Sequence, residues 1–231
     1  MLSNILDTGV LIIAGVALTI TLFSIYVSRV YLPMKIKVAY LKSITALAAA
    51  VETKDSGTVG HAQRVAQLTV ELARNLGLKE PDLGRVEYAA LLMDIGKANV
   101  PQVILNKLEP LSIDEWEIIK SHSQLGAEMV ASVPFLASIS DYVRHHHEYW
   151  DGSGYPDAIK GEEIPLVSRI LSIAADFDAM ISKRPYHDAL SPEEAIEEVR
   201  RGIGSKYDPN VARIFLEMIE NGFSIAEVKA A

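Results

Sequence analysis

A small group of histidine and aspartate residues is the part of this sequence that could perform metal chemistry. Five of the six histidines fall at positions 61, 122 and 145–147, and Asp94 lies between the first two of these positions. Neutral imidazole and carboxylate are the usual ligands of Zn, Mn or Fe in dinuclear sites. A lone histidine is more often a hydrogen-bonded core or surface residue. This set, spread over several predicted helices and joined to the run Asp94-Ile-Gly-Lys97, predicts a metal site instead.

The residues around these positions form a long and nearly ungapped pattern. It comprises Lys54-Asp55, Thr58, His61, Asp94-Ile-Gly-Lys97, Pro101, Ile104-Leu105, Lys107, Leu111, His122, His146-His147-Glu148, Asp151-Gly-Ser-Gly-Tyr-Pro156, Gly161-Glu-Glu-Ile-Pro165, Arg169-Ile170, Phe177-Asp178-Ala179, Arg184-Pro-Tyr186 and Asp208-Pro209. On these residues, positions 39 to about 218 resemble an HD-GYP domain, a bacterial family that hydrolyses cyclic di-GMP. The resemblance implies an all-α, HD-type helical bundle and a metal-dependent phosphohydrolase that acts in signal transduction.

The resemblance also implies two metal sites, and this chain departs from one of them. The family's ligands of one metal fall on His61, Met93, Asp94 and Ala175, and those of the other fall on Asp94, His122, His146 and His147. A thioether is a poor ligand for the dications that hydrolyse phosphodiesters, and alanine offers no ligand atom. Asp176 follows Ala175, but a helix rotates it by about 100° and raises it by roughly 1.5 Å, so we expect it to miss the site. Gly57 stands where the family's three-metal members carry glutamate. We therefore predict at most one divalent transition metal, Fe, Mn or Zn, per chain.

The loss of one metal bears directly on catalysis. Two-metal hydrolysis uses ions roughly 3.5–4 Å apart, which activate a water and clamp the phosphoryl oxygens. Because Met93 and Ala175 belong to the same metal, we favour a degenerate domain that binds a cyclic dinucleotide or a protein partner with weak or no hydrolysis. The alternative is an active phosphodiesterase that works with one metal or recruits Asp176 as a substitute ligand. Asp94 and Lys97 are the candidate catalytic residues in either case.

A glycine-rich loop is the candidate contact for the substrate. By the resemblance, Gly154-Tyr155-Pro156 belongs to the cyclic-dinucleotide site and to a contact surface for diguanylate cyclase (GGDEF) domains. The alternative is a rigid surface turn, which is common for such a composition. Lys97 and, by the resemblance, Arg184 are the best candidates for contacts to phosphate. Their alternative is a surface salt bridge of little energetic value.

Composition excludes some classes of protein. With 231 residues, the chain allows one ordinary domain plus an appendage. It contains no cysteine, so it has neither a disulfide nor a thiolate metal site. A net charge of −8 argues against a sequence-independent nucleic-acid binder, which needs a basic surface to follow the phosphates.

The appendage is N-terminal and apolar. No residue between Asp7 and Arg29 is charged, and this run is long enough, at 1.5 Å per residue, to cross the roughly 30 Å hydrocarbon core of a bilayer. Arg29, Lys35 and Lys37 follow the run, while no lysine or arginine precedes it. The positive-inside rule then predicts a single-pass protein of the inner membrane with its C-terminal domain in the cytoplasm. A cleaved signal peptide and a buried soluble helix are the less favoured alternatives.

An amphipathic helix is predicted after Pro33. Met34, Leu41, Ile44, Ala48 and Val51 recur at three- and four-residue spacing. They could form a short signalling coil that pairs two protomers, but we favour a first helix packed on its own domain, because the seam covers fewer than three heptads. We divide the chain into a transmembrane anchor (1–32), a linker helix (33–54), an HD-GYP-like domain (55–219) and a C-terminal tail (220–231).

The remaining helices can be located by their start signals. Ser112 and Glu115 form a capping box ahead of the stretch that reaches His122. Ser191-Pro192 and Asp208-Pro209 each place an N-cap before a proline, which predicts two short C-terminal helices. A further helix is predicted to carry residues 141–148, with His145 facing outward. Loops are predicted at residues 97–112 and 151–165.

Overall fold

The computed structural model describes residues 2–55, 60–183 and 189–223, and these ranges are helical. The α-helices, in chain order, are α1 (Leu2–Tyr26), α2 (Leu32–Glu52), α3 (His61–Asn75), α4 (Asp82–Leu92), α5 (Gln102–Leu105), α6 (Ile113–Ala131), α7 (Ser140–Arg144), α8 (Leu166–Ile181), α9 (Pro192–Arg201) and α10 (Pro209–Glu220). No strand forms in the described ranges, where Ile203 and Tyr207 make only an isolated bridge. The predicted all-α class is therefore confirmed.

The chain divides into two compact units, residues 1–43 and 44–231. In the first unit, α1 is followed by a π-helical turn, Val27–Tyr31, just before Pro33. A proline ring clashes with the carbonyl four residues earlier, which accounts for a wider turn at this point. The helical stretch Leu11–Glu52 contains a window of mean hydropathy 2.2 with none of its residues buried. By length and composition it could cross a membrane.

The core of the second unit lies where α3, α8 and α10 meet. Val65, Leu68 and Leu72 on α3 are buried and recur at three- and four-residue spacing. Phe177 on α8 and Phe215 on α10 are also buried, with ring centroids 5.0 Å apart in an edge-to-face arrangement. Side chains of this size contribute roughly 1.5–3 kcal/mol each when fully buried. This packing fixes α3 and α8, which carry His61 and Asp178 respectively.

The C-terminal part of α2 belongs to the second unit. Ile44, Ala48 and Val51 on it are buried at four- and three-residue spacing. This burial favours the interpretation of a first helix packed on its own domain for residues 44–52. The burial also brings the charged residues at the end of α2 next to the candidate site.

Three helix starts lie where the sequence predicted them. The Ser112 hydroxyl accepts a hydrogen bond from the amide of Glu115 at 3.2 Å, and Ser191 makes the equivalent capping box with Glu194. Asp208 Oδ1 accepts hydrogen bonds from the first amides of α10, at 2.7 Å from Asn210. These side chains satisfy amides that the helices themselves leave without partners. The Ser112 cap begins the helix that carries His122.

Two predicted boundaries differ from the structure. The helix expected over residues 141–148 ends at Arg144, and the histidines that follow lie in a turn. His146 Nδ1 donates to the carbonyl of Val143 at 2.6 Å, so a side chain takes an acceptor that a continuing helix would use. The region expected as a loop from residue 97 to 112 also contains the end of a 3₁₀ helix, Ile95–Asn99, and the single turn of α5.

Candidate metal centre and ligand cavity

Three elements bring the predicted ligands together. Asp94 lies in the turn after α4, His122 lies on α6, and His146 and His147 lie in the turn after α7. Gly96 permits the closest of these approaches, because a Cβ at this position would lie 2.0 Å from the carbonyl oxygen of His122. Any larger residue would push the Asp94 turn away from α6.

A second glycine folds the loop of residues 151–156 against the histidine turn. A Cβ on Gly154 would lie 2.5 Å from the carbonyl oxygen of His147. The amide of the next residue, Tyr155, donates to that same carbonyl at 3.1 Å. The Tyr155 ring then stacks on the His147 ring with centroids 4.7 Å apart. The loop therefore orients one of the candidate ligands.

The side chains of Asp94, His122, His146 and His147 form one compact group, which we call the ligand quartet. One ligand atom from each lies within 4.8 Å of every other, a spacing at which the four could hold a metal ion. His122 and His146 are buried, and Asp94 and His147 are partly exposed. The quartet contains the four residues predicted to survive from the second metal site.

The hydrogen bonds of the quartet residues leave acceptor atoms that fit a cation. The Nδ1 atoms of His122 and His146 each lie 2.6 Å from a backbone carbonyl, that of Ile119 and that of Val143. A carbonyl only accepts, so both Nδ1 atoms must carry the proton and both Nε2 atoms must be acceptors. These two Nε2 atoms face each other at 3.4 Å, and Asp94 Oδ1 lies 3.4 Å from that of His122. Three acceptors converge without a donor, an arrangement that a metal ion between them would satisfy.

The electrostatics of the quartet favour the protonation states that bind metal. Burial lowers the pKa of His146 to about 4 and lowers that of His147 well below its ordinary value, and neighbouring histidines add to both effects. Burial alone would raise the pKa of Asp94, but Lys97 and the adjacent histidines hold it well below its usual range. Neutral imidazoles and an ionised carboxylate are the forms that coordinate a dication.

The other predicted metal position keeps only part of its ligand set. His61 Nε2 lies 3.9 Å from Asp94 Oδ2, whereas His122 faces the other carboxylate oxygen, Oδ1. Met93 is buried and Ala175 is partly buried, and neither offers a nitrogen or oxygen side-chain atom. A two-ligand remnant, His61 and Asp94, is left on this side of the carboxylate.

Asp176 is engaged elsewhere in the fold. Its Oδ2 accepts a hydrogen bond from the hydroxyl of Tyr207 at 3.0 Å and lies 2.8 Å from Lys206 Nζ. The same ion pair raises the pKa of Lys206 against the lowering effect of burial. This geometry agrees with the expectation that Asp176 misses the metal position. It also gives Asp176 a structural role in joining α8 to the segment before α10.

Lys97 is held by two carboxylates. Its Nζ lies 3.1 Å from Asp94 Oδ2 and 3.1 Å from Asp55 Oδ2. Burial alone would lower the pKa of Lys97, but these two carboxylates raise it, so the ammonium stays charged. The side chain is only 17% exposed, which excludes the alternative of a solvated surface salt bridge.

Several residues near the site were missed as functional candidates. Asp178 Oδ2 lies 2.7 Å from His61 Nδ1 and orients its ring, while Arg64 pairs with the same carboxylate. The carboxylate of Glu52 accepts hydrogen bonds from the amides of Gly60 and Ala62 at the start of α3. Asp178 lies in the matched motif Phe177-Asp178-Ala179, and this motif was a usable signal. Glu52 gave no signal, because its partners lie 8 and 10 residues further along the chain.

Lys54 was also missed, although it lies in the matched pattern. Its Nζ donates to the carbonyls of Ala98 at 2.6 Å and Val100 at 3.1 Å. These carbonyls end the 3₁₀ helix that follows Asp94. Glu52, Lys54 and Asp55, which we call the α2 clamp, therefore contact both the His61 helix and the Asp94 turn.

A cavity of about 550 Å³ opens beside the quartet. Its polar wall includes Lys97, His122, His147 and Tyr155, and its apolar wall includes Leu105, Leu108, Leu111, Trp116 and Ile119. Among the residues predicted to contact substrate, Lys97 and Tyr155 line this cavity, and Gly154 and Pro156 are the neighbours of Tyr155 in the loop. Arg184, like Gly57 and Thr58, lies outside the described residues. A cavity of this volume suits a ligand of small-molecule size.

His145 lies apart from the quartet. Its Nε2 lies 2.9 Å from Asp157 Oδ2, and its Nδ1 donates to the carbonyl of Asp141. The side chain therefore faces away from the quartet, as expected, although it is only 14% exposed.

The metal-free protein is expected to lose stability as the pH falls from about 6.5 to about 4. The pKa of His146 is about 6.5 in the unfolded chain and about 4 in the folded protein, so the unfolded chain binds the proton more readily. The contribution of His146 to the free energy of unfolding is therefore complete above pH 6.5 and is lost progressively as the pH falls to about 4. The shift corresponds to about 3 kcal/mol at the acid end of this window. Denaturant titrations of the metal-free protein at several pH values would measure it. His146→Asn should make the profile shallower without flattening it, because burial also lowers the pKa of His147 and of His122. A flat profile in the unmodified protein would contradict this assignment.

The fold and the quartet together are those of an HD-type helical domain. The HD domain family matches residues 45–211. The chain belongs to the HD domain family and, within it, to the HD-GYP group, whose hydrolases depend on metal ions.

Similar proteins with curated names are cyclic-dinucleotide phosphodiesterases. A cyclic di-GMP phosphodiesterase of Thermotoga maritima is 38% identical over 169 residues, which cover 72% of this chain and 46% of that protein. The 3'3'-cGAMP-specific phosphodiesterase 2 of Vibrio cholerae is 36% identical over 173 residues, covering 74% of this chain and 33% of that protein. The chain thus spans half or less of the length of these two relatives.

A solved structure shares the fold. The crystal structure of a cyclic GMP-AMP-specific phosphodiesterase of Vibrio cholerae aligns with a TM-score of 0.63 at 22% identity, covering 82% of this chain and 52% of that one. This likeness confirms the HD-type helical architecture.

Proposed function

We propose that this protein is a membrane-anchored, degenerate HD-GYP domain that binds a cyclic dinucleotide at a single-metal site and hydrolyses it weakly or not at all. The observation that carries the proposal is the contrast between the two halves of the site. The ligand quartet is complete and compact, whereas the other half keeps only His61 and Asp94. A role in cyclic-dinucleotide signalling agrees with the names of the similar phosphodiesterases.

The residues of the site support ligand binding. A divalent ion at the quartet would supply charge to polarise a phosphoryl oxygen of the ligand. Lys97 adds a fixed ammonium beside Asp94, and Tyr155 covers one face of His147. The cavity continues from these groups to an apolar wall that can take the remainder of a dinucleotide. Binding therefore needs nothing from Met93 or Ala175.

An active phosphodiesterase is the second candidate, and one observation favours it. His61 Nε2 still faces Asp94 Oδ2, and Asp178 still orients the ring. Two ligands on this side could retain a weakly bound second ion. Such an ion would restore part of the two-metal chemistry.

The anchor and partners extend the same proposal. The uncharged run before Arg29 would hold the protein in the inner membrane, with the HD-GYP domain in the cytoplasm. The loop carrying Gly154, Tyr155 and Pro156 would face a diguanylate cyclase (GGDEF) domain. Pairing of two chains through the exposed part of α2 would give a homodimer.

Metal content and turnover test the proposal together. Full-length protein purified in detergent without chelator should carry no more than one transition-metal ion per chain, measured by elemental analysis. It should bind cyclic di-GMP or 3'3'-cGAMP in calorimetry and release little linear product in a chromatographic assay. Two ions per chain with robust turnover would instead establish the active phosphodiesterase.

A further inference from the structure

The apolar side of the cavity beside the quartet includes two exposed residues. Trp116 is 47% exposed and Leu108 is 70% exposed, although both are large and apolar. Both line the same cavity as His122 and Lys97. Exposed apolar groups that are continuous with a polar site are typical of a ligand-binding surface.

We infer that this side is a nucleobase subsite, in which Trp116 stacks a base of the bound dinucleotide and Glu109 reads its polar edge as guanine. The inference rests on the proposed function, since it assigns the base-recognition part of the same cavity. Trp116 and Glu109 determine the specificity for the base and take no part in holding the metal.

The helix α6 sets the distance between the metal and this subsite. It carries both Trp116 and His122, six residues apart, and Ile119 between them also lines the cavity. At 1.5 Å per residue, six residues correspond to about 9 Å along the helix axis. A nucleotide whose phosphate lies at the quartet can therefore place its base at Trp116.

The chemistry of Trp116 suits a base. A nucleobase has two flat apolar faces, and stacking on an aromatic side chain contributes about 1–3 kcal/mol per base without regard to sequence. Leu108 and Leu111 give further apolar contact on the same side. A base bound there would cover the surface that is exposed in the unbound protein.

Glu109 adds a preference among bases. Its side chain lines the cavity, and within the described part of the chain its carboxylate has no hydrogen bond or ion pair. The nearby Lys107 does not neutralise it, because Lys107 Nζ is bound to Glu115 at 2.6 Å. Guanine presents two N–H donors side by side on its pairing edge, which a carboxylate can accept together. Adenine presents an acceptor nitrogen there, which a carboxylate repels.

Intrinsic fluorescence can test the stacking directly, since the chain has only two tryptophans, Trp116 and Trp150. Cyclic di-GMP should quench the emission of the metal-loaded, full-length protein with the same midpoint as its calorimetric binding curve. Trp150→Phe should keep the quenching, and Trp116→Phe should lose it while retaining most of the affinity. Trp116→Ala should weaken binding by about 5- to 150-fold, the equivalent of one stacked base.

The edge contact has its own test. Glu109→Gln should reduce the preference for cyclic di-GMP over cyclic di-AMP by about tenfold or more, because one good bidentate base contact is worth about 1–3 kcal/mol. Glu128→Gln, which removes a carboxylate elsewhere on α6 that accepts a hydrogen bond from Gln124 and does not line the cavity, is the matched control and should leave the preference unchanged. An unchanged preference in Glu109→Gln would overturn the role of Glu109.

The outcomes separate this inference from the proposed function. Calorimetric binding without quenching, together with normal affinity in Trp116→Ala, would overturn the base subsite while leaving dinucleotide binding intact. An absence of calorimetric binding for cyclic di-GMP, 3'3'-cGAMP and cyclic di-AMP alike would overturn the proposed function, and the subsite with it.

Discussion

The double variant Met93→His with Ala175→Asp is expected to hydrolyse cyclic di-GMP about a thousandfold faster than the unmodified protein. Restoring both ligands completes a four-ligand set with His61 and Asp94, whose Nε2 and Oδ2 atoms already lie 3.9 Å apart. A well-placed second metal supplies several kcal/mol of transition-state stabilisation, and about 4 kcal/mol corresponds to a thousandfold in rate. Product formation and metal content should rise together, the latter from one ion to two per chain.

The single variants are the informative comparison. Met93→His alone and Ala175→Asp alone should each gain little, because one weak position remains in the same coordination sphere. Met93→Gln with Ala175→Asn gives side chains of similar size with poorer ligands, and it should stay near the unmodified rate. A double variant that binds two metals and remains inactive would show that the cavity no longer positions a substrate for hydrolysis. Robust turnover by the unmodified protein would show that the missing ligands are dispensable.

Removing His122 should abolish metal binding, whereas removing His61 should not. His122 Nε2 lies at the centre of the quartet, 3.4 Å from His146 Nε2 and 3.4 Å from Asp94 Oδ1. His122→Asn should lower metal affinity by at least about 100-fold. Replacing a residue that only hydrogen-bonds to a metal ligand already lowers metal affinity by about 10- to 100-fold. His61→Asn is the matched change on the other side of Asp94. Elemental analysis after dialysis against metal-free buffer would compare the two.

The two histidine variants also test the assignment of the half-sites. If His61→Asn loses the metal while His122→Asn keeps it, the retained ion lies in the set that contains Met93 and Ala175. If two ions are lost together on replacing His122, the protein has a dinuclear site and the single-metal proposal is wrong. Thermal unfolding of each variant would establish that loss of metal does not come from loss of fold.

The fold class and the quartet could be predicted because their signals are local or carried by motifs. Ser112 and Asp208 mark the starts of helices, because each side chain accepts a hydrogen bond from an amide no more than three residues further along the chain. The quartet was predicted from the resemblance, because the family's ligand set identifies residues that are far apart in the sequence and close in the fold. The end of α7 was not predicted, because the competing hydrogen bond from His146 to Val143 depends on the packed position of the imidazole ring.

The contacts of Glu52 and Glu109 could not be predicted for a similar reason. From the sequence alone, Glu52 at the end of a helix would be interpreted as a solvated charge. Its burial becomes evident only when the position of the start of α3 is known. Glu109 reads as an ordinary loop residue until the cavity is known. Burial and neighbourhood, which no local pattern encodes, decide both cases.

The α2 clamp has a practical consequence for dissecting the protein into fragments. Glu52 and Lys54 lie before residue 55, the boundary that we assigned to the HD-GYP-like domain from the sequence. A fragment cut there would lose the carboxylate that caps α3 and the ammonium that binds the carbonyls of Ala98 and Val100. Unpaired groups of this kind cost about 1–3 kcal/mol each when buried. A soluble piece that keeps its metal ligands in register should therefore begin no later than Ile44, where the compact unit starts.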